Sequence, residues 1–284
     1  MVTLTEIRYD DDGQNAMRKR AQREDEARKS TFPVWRNRMK TSHIVVATYL
    51  VFSLILGIEQ WHVLKAHASN EVKVPYSAMA PLEQYLMDRD AEIALARSAA
   101  PDSISHDATV MVLGTQGFEI GAEGKNGFVC IVERAWTSPF ADAEFWNSRK
   151  RGAICYNPQA ARTILPITYM RTKLALAGKS KDEIKEAMKA AVEKKELPAL
   201  EPGAMCYMMA KQAYLTDKGI TQDGAHNMAH MMFYTPKINP AEWGANMDKS
   251  PIVIDPRAKG DPEPINTFMM LTGTWSDGSP APLS

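Results

Sequence analysis

The chain lacks an excess of charge of either sign: Lys and Arg total 34, and so do Asp and Glu. A nucleic-acid binder ordinarily carries a basic surplus or stripe, so that class is set aside. Internal repeats and low-complexity tracts are missing, which removes solenoids and linker-like chains. The short patterns of common enzymes are missing too. There is no G-x-S-x-G elbow and no S-x-x-K at a helix start for an activated serine, and no H-E-x-x-H for a zinc protease. Gly114–Gly117 and Gly124–Gly127 are spaced as hairpin turns and lack the helix that would complete a phosphate cradle. Cysteine is scarce, with three in all.

Long apolar runs are also scarce. The one that stands out is Ile44–Ile58, IVVATYLVFSLILGI, bounded by Lys40 and Glu59. It is shorter than the ~20 residues that span a bilayer core. It has the length of a signal-peptide core, follows a lysine, and is followed by the A-x-A site Ala66-His67-Ala68. A buried helix of a soluble protein is disfavoured, because the run is apolar on every face. A signal peptide is therefore expected, with an uncleaved membrane anchor as the alternative. Residues 1–38 read as a disordered extension or start-site artefact, since Met39-Lys40-Thr41 resembles an ordinary signal-peptide start. Residues 39–68 form the signal segment and 69–284 a single exported domain. Under both readings that domain lies outside the cytoplasm, periplasmic or secreted, and only residues 44–58 would meet the membrane.

Within the domain, Leu82–Ala99 reads as a helix stopped by Pro101. Three short β-prone runs follow, Thr109–Leu113, Phe118–Ala122 and Phe128–Val132, separated by glycine turns that include Asn126-Gly127. They predict an antiparallel meander. Thr137–Ala153 is an aromatic-rich loop expected to pack down. Asn157-Pro158 opens a helix with a possible kink at Pro166 and a Gly178 stop. Ser180 and Glu183 form a capping box for a second helix. A third helix is expected at Pro202–Leu215. Met228–Thr235, Ile252–Ile254 and Ile265–Trp275 read as strands. The order predicts an α+β fold: an antiparallel sheet, begun by the meander and completed by the C-terminal strands, with helices inserted between.

The three cysteines, Cys130, Cys155 and Cys206, all follow the apolar run. An oxidising compartment permits one bridge and one leftover thiol. Cys130–Cys155 is the expected pair, with Cys155 on a movable loop and Cys206 on an apolar helix face; three buried thiols are the plain alternative.

Glu133, Arg134 and Trp136, at the end of the third strand, form a polar–aromatic cluster of the kind that lines ligand pockets, and Asp277 after Trp275 is a second such edge. The plainer reading is a surface ion pair and a turn aspartate. His226 and His230 are the one close histidine pair in the exported part. On a helix they would chelate one ion, and with Met228, Met231 and Met232 nearby copper or zinc would suit them. On a strand they stand about 13 Å apart and do not share a metal. The strand reading is preferred, so neither metal nor cofactor is expected. Cys155 with His230 as base is the only nucleophile pairing the residue types offer.

Gly124–Cys130, Phe145-Trp146-Asn147, Pro202–Met205, Met232-Phe233-Tyr234 and Trp243–Asn246 together resemble an uncharacterised family of exported bacterial proteins, over roughly Met79 to Gly278. The resemblance implies a single exported domain and brings no activity. The function expected is non-catalytic binding of a small molecule or an envelope component, with metal handling and hydrolysis as the alternatives.

Overall fold

The computed structural model describes residues 75–220 and 226–282, which belong to one compact unit, Val72–Ser284. The apolar run, the A-x-A site and the charged N-terminal stretch lie outside the described residues. Among those described, no helix is long and apolar enough to cross a membrane.

β-branched and aromatic runs form eight strands: β1 Thr109–Gly114, β2 Gly117–Ala122, β3 Val129–Glu133, β4 Gly152–Tyr156, β5 Met205–Met208, β6 His230–Pro236, β7 Ile252–Ile254 and β8 Ile265–Leu271. They make one sheet in the order β2-β1-β3-β4-β5-β6-β8-β7. Every neighbouring pair is antiparallel except β1 and β3, which run parallel. The fold is α+β with a mostly antiparallel sheet, as expected.

The first three strands are not a meander. β2 folds back on β1, but the chain then crosses beneath β1 and places β3 on its other side. The crossing is fixed by the backbone of Asp107, whose carbonyl accepts from the amides of Lys125 and Asn126, and by the Asn126 side chain on the Ile104 carbonyl. Gly124 is pressed so close that an added Cβ would sit 2.1 Å from the Thr109 amide nitrogen. Gly124 serves this close approach, Gly114 and Gly117 bound the β1–β2 hairpin turn as expected, and Asn126-Gly127 does not close a hairpin.

Helices cover both faces. α1 (Arg89–Arg97) begins at Asp88, whose carboxylate caps the Ala91 amide. The helix expected from Leu82 is thus split into a short 3-10 turn, Leu82–Gln84, and α1. A short α2 (Asp102–Ser105) follows Pro101. Ala96 and Ala99 pack on Val110, Cys130, Val132 and Cys155 of one sheet face. α3 (Pro158–Thr163) is capped by the Asn157 side chain and separated from α4 (Leu165–Leu176) at Ile164, the break expected near Pro166. Ala160, Ile164 and Leu165 cover Ile131, Ile154 and Cys206 on the opposite face. α5 (Lys181–Glu193) has the expected capping box and buries Ile184 and Met188, each contributing about 1.5–3 kcal/mol by removal from water. These two meet the aromatic loop, where Phe140, Phe145 and Trp146 are buried with Tyr85 and Trp136.

Two further expectations fail. Pro202–Leu215 is not a helix: Met205–Met208 is the short central strand β5, between β4 and β6. Cys155 is not on a loop. It lies in β4 directly opposite Cys130 of β3, with the Cα atoms 4.0 Å apart and the sulfurs bonded. Cys206 is free and buried, on β5 rather than on a helix.

The β7 edge of the sheet is closed and the β2 edge is covered in part. At β2 the Arg89 guanidinium donates to the carbonyls of Ile120 and Gly121 at 2.8 and 3.1 Å. At β7 Asn246 substitutes for a further strand. Its backbone amide donates to Ile252 O, and its side-chain amide both donates to Ile254 O and accepts from Ile254 N. Unpaired edge groups would recruit another chain; those of β7 are occupied by Asn246, and two carbonyls of β2 by Arg89.

Candidate functional site

The residues singled out in the sequence fall in separate places. Glu133 ends β3 facing α4. Its carboxylate accepts from the hydroxyls of Tyr156 at 2.5 Å, Thr168 at 3.0 Å and Thr137 at 3.2 Å. Burial raises its pKa, opposed by those hydrogen bonds and by the charge of Arg171. Arg134 points away from it. Arg134 is 2 % exposed, pairs with Glu92 at 2.9 Å, and donates from Nε to Tyr85 O and from Nη1 to Val132 O. Glu92 also accepts the Leu113 amide. The plainer expectation of a surface pair between Glu133 and Arg134 thus fails: Arg134 pairs with Glu92 in the interior, and that pair joins α1 to the ends of β1 and β3. Trp136 is fully buried, its ring 4.9 Å from that of Tyr85 and its Nε1 donating to Thr172. Asp277 is exposed and accepts from the Ser279 amide and hydroxyl, a local turn bond. The structure therefore does not bring these four side chains together.

His230 opens β6 and is buried, and Met228 O accepts from its Nδ1 at 2.7 Å. Burial lowers its pKa, so the neutral ring is favoured. His226 lies in the bend before the strand. Its Nδ1 donates to Thr216 O, and its ring lies 4.2 Å from that of Tyr214. Among the described residues, no three His, Cys, Asp or Glu side chains are grouped to hold a metal ion. The Cys155–His230 nucleophile pairing is overturned, because the Cys155 sulfur is bonded to Cys130.

What the structure does assemble is a cleft of about 660 Å³. One wall is Met79, Ala80 and Leu82, the floor is Trp146, and the other wall is Ala175 and Leu176 at the end of α4. Residues 178–183, where Gly178 turns the chain at φ 74° into α5, form the rim. The volume falls in the ~300–1,000 Å³ range of small-molecule sites.

Two clasps hold the walls to the floor. The Tyr85 hydroxyl accepts from the Ala80 amide and donates to Trp146 O at 2.7 Å. Farther out, the Asp217 carboxylate gathers Tyr76, Asn147 and Tyr214 by hydrogen bonds and Arg149 by an ion pair at 2.6 Å. Tyr76 precedes one wall and Asn147 follows the floor, so one carboxylate fastens both. Burial would raise the Asp217 pKa, but the bonds from Tyr76, Asn147, Tyr214 and Arg149 outweigh it and hold it at about 2. Glu144 completes the clasp by accepting from the Asp217 amide and the Thr216 hydroxyl.

Other buried charges are explained by loop closure. Lys150 pairs with Asp142 at 2.7 Å, and Arg171 with Glu263 at 2.7 Å while stacking 4.2 Å over Phe140. These pairs pin the aromatic loop and the segment before β8.

Sequence reasoning found the packed aromatic loop but not the cleft. Its walls come from segments roughly 70 to 100 positions apart, and no local pattern marks Tyr76, Asn147 or Asp217 as partners. Comparison of the chain with protein-family models, curated proteins and solved structures finds no match to any of them.

Proposed function

We propose that this chain is an exported, non-catalytic binding domain whose ligand site is the cleft floored by Trp146. The observation that carries the reading is the cleft itself: apolar walls, a polar rim, and a volume suited to a small molecule. Two further facts support it. The Cys130–Cys155 bridge suits an oxidising compartment, as does the signal-like run Ile44–Ile58. The β7 edge is capped by Asn246, which argues against binding a partner by strand addition there. The resemblance to exported bacterial proteins belongs to the same reading.

Protein-observed NMR of the methionine methyls, with a library of small amphipathic molecules, tests it. Binders should shift the ε-methyl resonance of Met79 and be displaced by one another. A binder set that leaves Met79 unmoved and maps elsewhere would refute the site.

A further inference from the structure

The cleft rim carries two ammonium groups, Lys179 and Lys181, and two carboxylates, Asp182 and Glu183, and of these only Lys179 and Glu183 pair. Glu183 is turned back into its capping box: it accepts from the Ser180 amide and hydroxyl and pairs with Lys179 at 2.9 Å. The Ser180 amide first, then the Lys179 ammonium and the Ser180 hydroxyl, hold Glu183 at a pKa of about 2. Its charge is therefore answered. Asp182 is exposed to solvent. Lys181 is different. It is half-buried, and among the described residues no carboxylate lies within ion-pair distance of it. Its Nζ stands 5.9 Å from the centroid of the Phe145 ring, which packs edge-on against Trp146 at 4.9 Å. An ammonium thus stands at the mouth of the cleft, near the ring that packs behind its Trp146 floor. Attraction to an anion is stronger there than in open water.

From this juxtaposition we infer that the cleft takes a free amphipathic monoanion, an acyl or aryl carboxylate. Its apolar part rests on Met79, Leu82, Trp146 and Leu176, and its carboxylate meets Lys181. The inference rests on the cleft being the binding site and adds the class of ligand. A free molecule is favoured over a membrane surface because the site is walled on two sides and of single-molecule size.

The test is calorimetric titration of the full chain with octanoate, hexanoate, 1-octanol and octyltrimethylammonium, with Lys181→Met and Lys181→Arg alongside and circular dichroism to check folding. Octanoate should bind saturably, and roughly tenfold tighter than hexanoate, from the burial of two more methylenes. Lys181→Met should weaken octanoate about tenfold and leave octanol unchanged, while Lys181→Arg should retain octanoate binding. If octanol or the ammonium binds as tightly as octanoate, or Lys181→Met changes nothing, the anionic class is wrong while the cleft stands. If none of the four binds saturably and none shifts the Met79 methyl, the cleft reading itself falls. Attachment of the domain to anionic vesicles without binding of monomeric octanoate would also overturn the inference.

Discussion

The Tyr76 hydroxyl donates a hydrogen bond to the Asp217 carboxylate across 141 residues of chain. Tyr76 holds a left-handed backbone, φ 62°, which costs energy for a bulky side chain. The bond to Asp217 offsets that cost and sets where the cleft wall begins. Tyr76→Phe should lower stability by about 1 kcal/mol, the usual worth of one hydrogen bond, and should loosen the cleft. Urea denaturation and the Met79 methyl linewidth measure the two effects separately.

The same clasp predicts an acid limit. The Asp217 pKa is about 2 in the fold, against ~3.9 for an unfolded aspartate. A depressed carboxyl stabilises the fold fully above its unfolded pKa and loses that contribution as the pH falls through its folded pKa. The protein should therefore weaken between about pH 4 and pH 2. Asp217→Asn should be less stable at neutral pH and flatter across that window. Thermal melts at stepped pH read this directly, and identical slopes for the two proteins would exclude the clasp as the cause.

Glu133 should behave in the opposite sense. Burial raises its pKa in the fold, so the native state holds the proton more tightly than the unfolded chain. Its contribution is fully present below the unfolded glutamate pKa of ~4.3 and is lost as pH rises through the raised folded value. Glu133→Gln keeps an acceptor for Tyr156 and Thr168 and carries no charge. It should lose less stability than the parent as pH climbs from about 4 to 7. Glu133→Ala leaves the buried Tyr156 hydroxyl with only the Thr168 hydroxyl at 3.3 Å and should cost about 1 kcal/mol or more. Chemical denaturation of the three proteins at acid and neutral pH tests both statements.

Glu92 and Arg134 should show strong coupling. Their side chains are 1 % and 0 % exposed, so removing one leaves the other as a lone buried charge. Arg134→Met should cost about 3–5 kcal/mol. Adding Glu92→Gln keeps an acceptor for the Leu113 amide, removes the stranded charge, and should recover much of the loss. A double-mutant cycle that comes out additive would show that the pair is not coupled.

How much of this was legible in the sequence depended on how local the cause was. The capping box of Ser180 and Glu183, the Asn157 cap and the Gly178 stop each act within a few residues, and each forms as read. The helix expected at Pro202–Leu215 rests on Met205, Met208, Met209 and Leu215 as apolar members, yet Met205–Met208 is claimed by hydrogen bonds to β4 and β6. The meander was misread because Asn126-Gly127 signals a turn without saying where the next strand docks. The Asp107 carbonyl decides that, and its contribution is non-local. Arg134 showed the same limit: its neighbour in sequence is Glu133, while its partner in space is Glu92. The cleft depends wholly on such distant pairings.

One measurement bears most directly on the central claim of an exported, bridged domain: non-reducing peptide mapping, with thiols trapped at harvest, of the protein from its native host. The account predicts a linked Cys130–Cys155 peptide, Cys206 alkylated only after denaturation, and an N-terminal peptide that begins at Ser69. Three alkylatable thiols together with an N-terminus upstream of the Ile44–Ile58 run, in the cytoplasmic fraction, would contradict it.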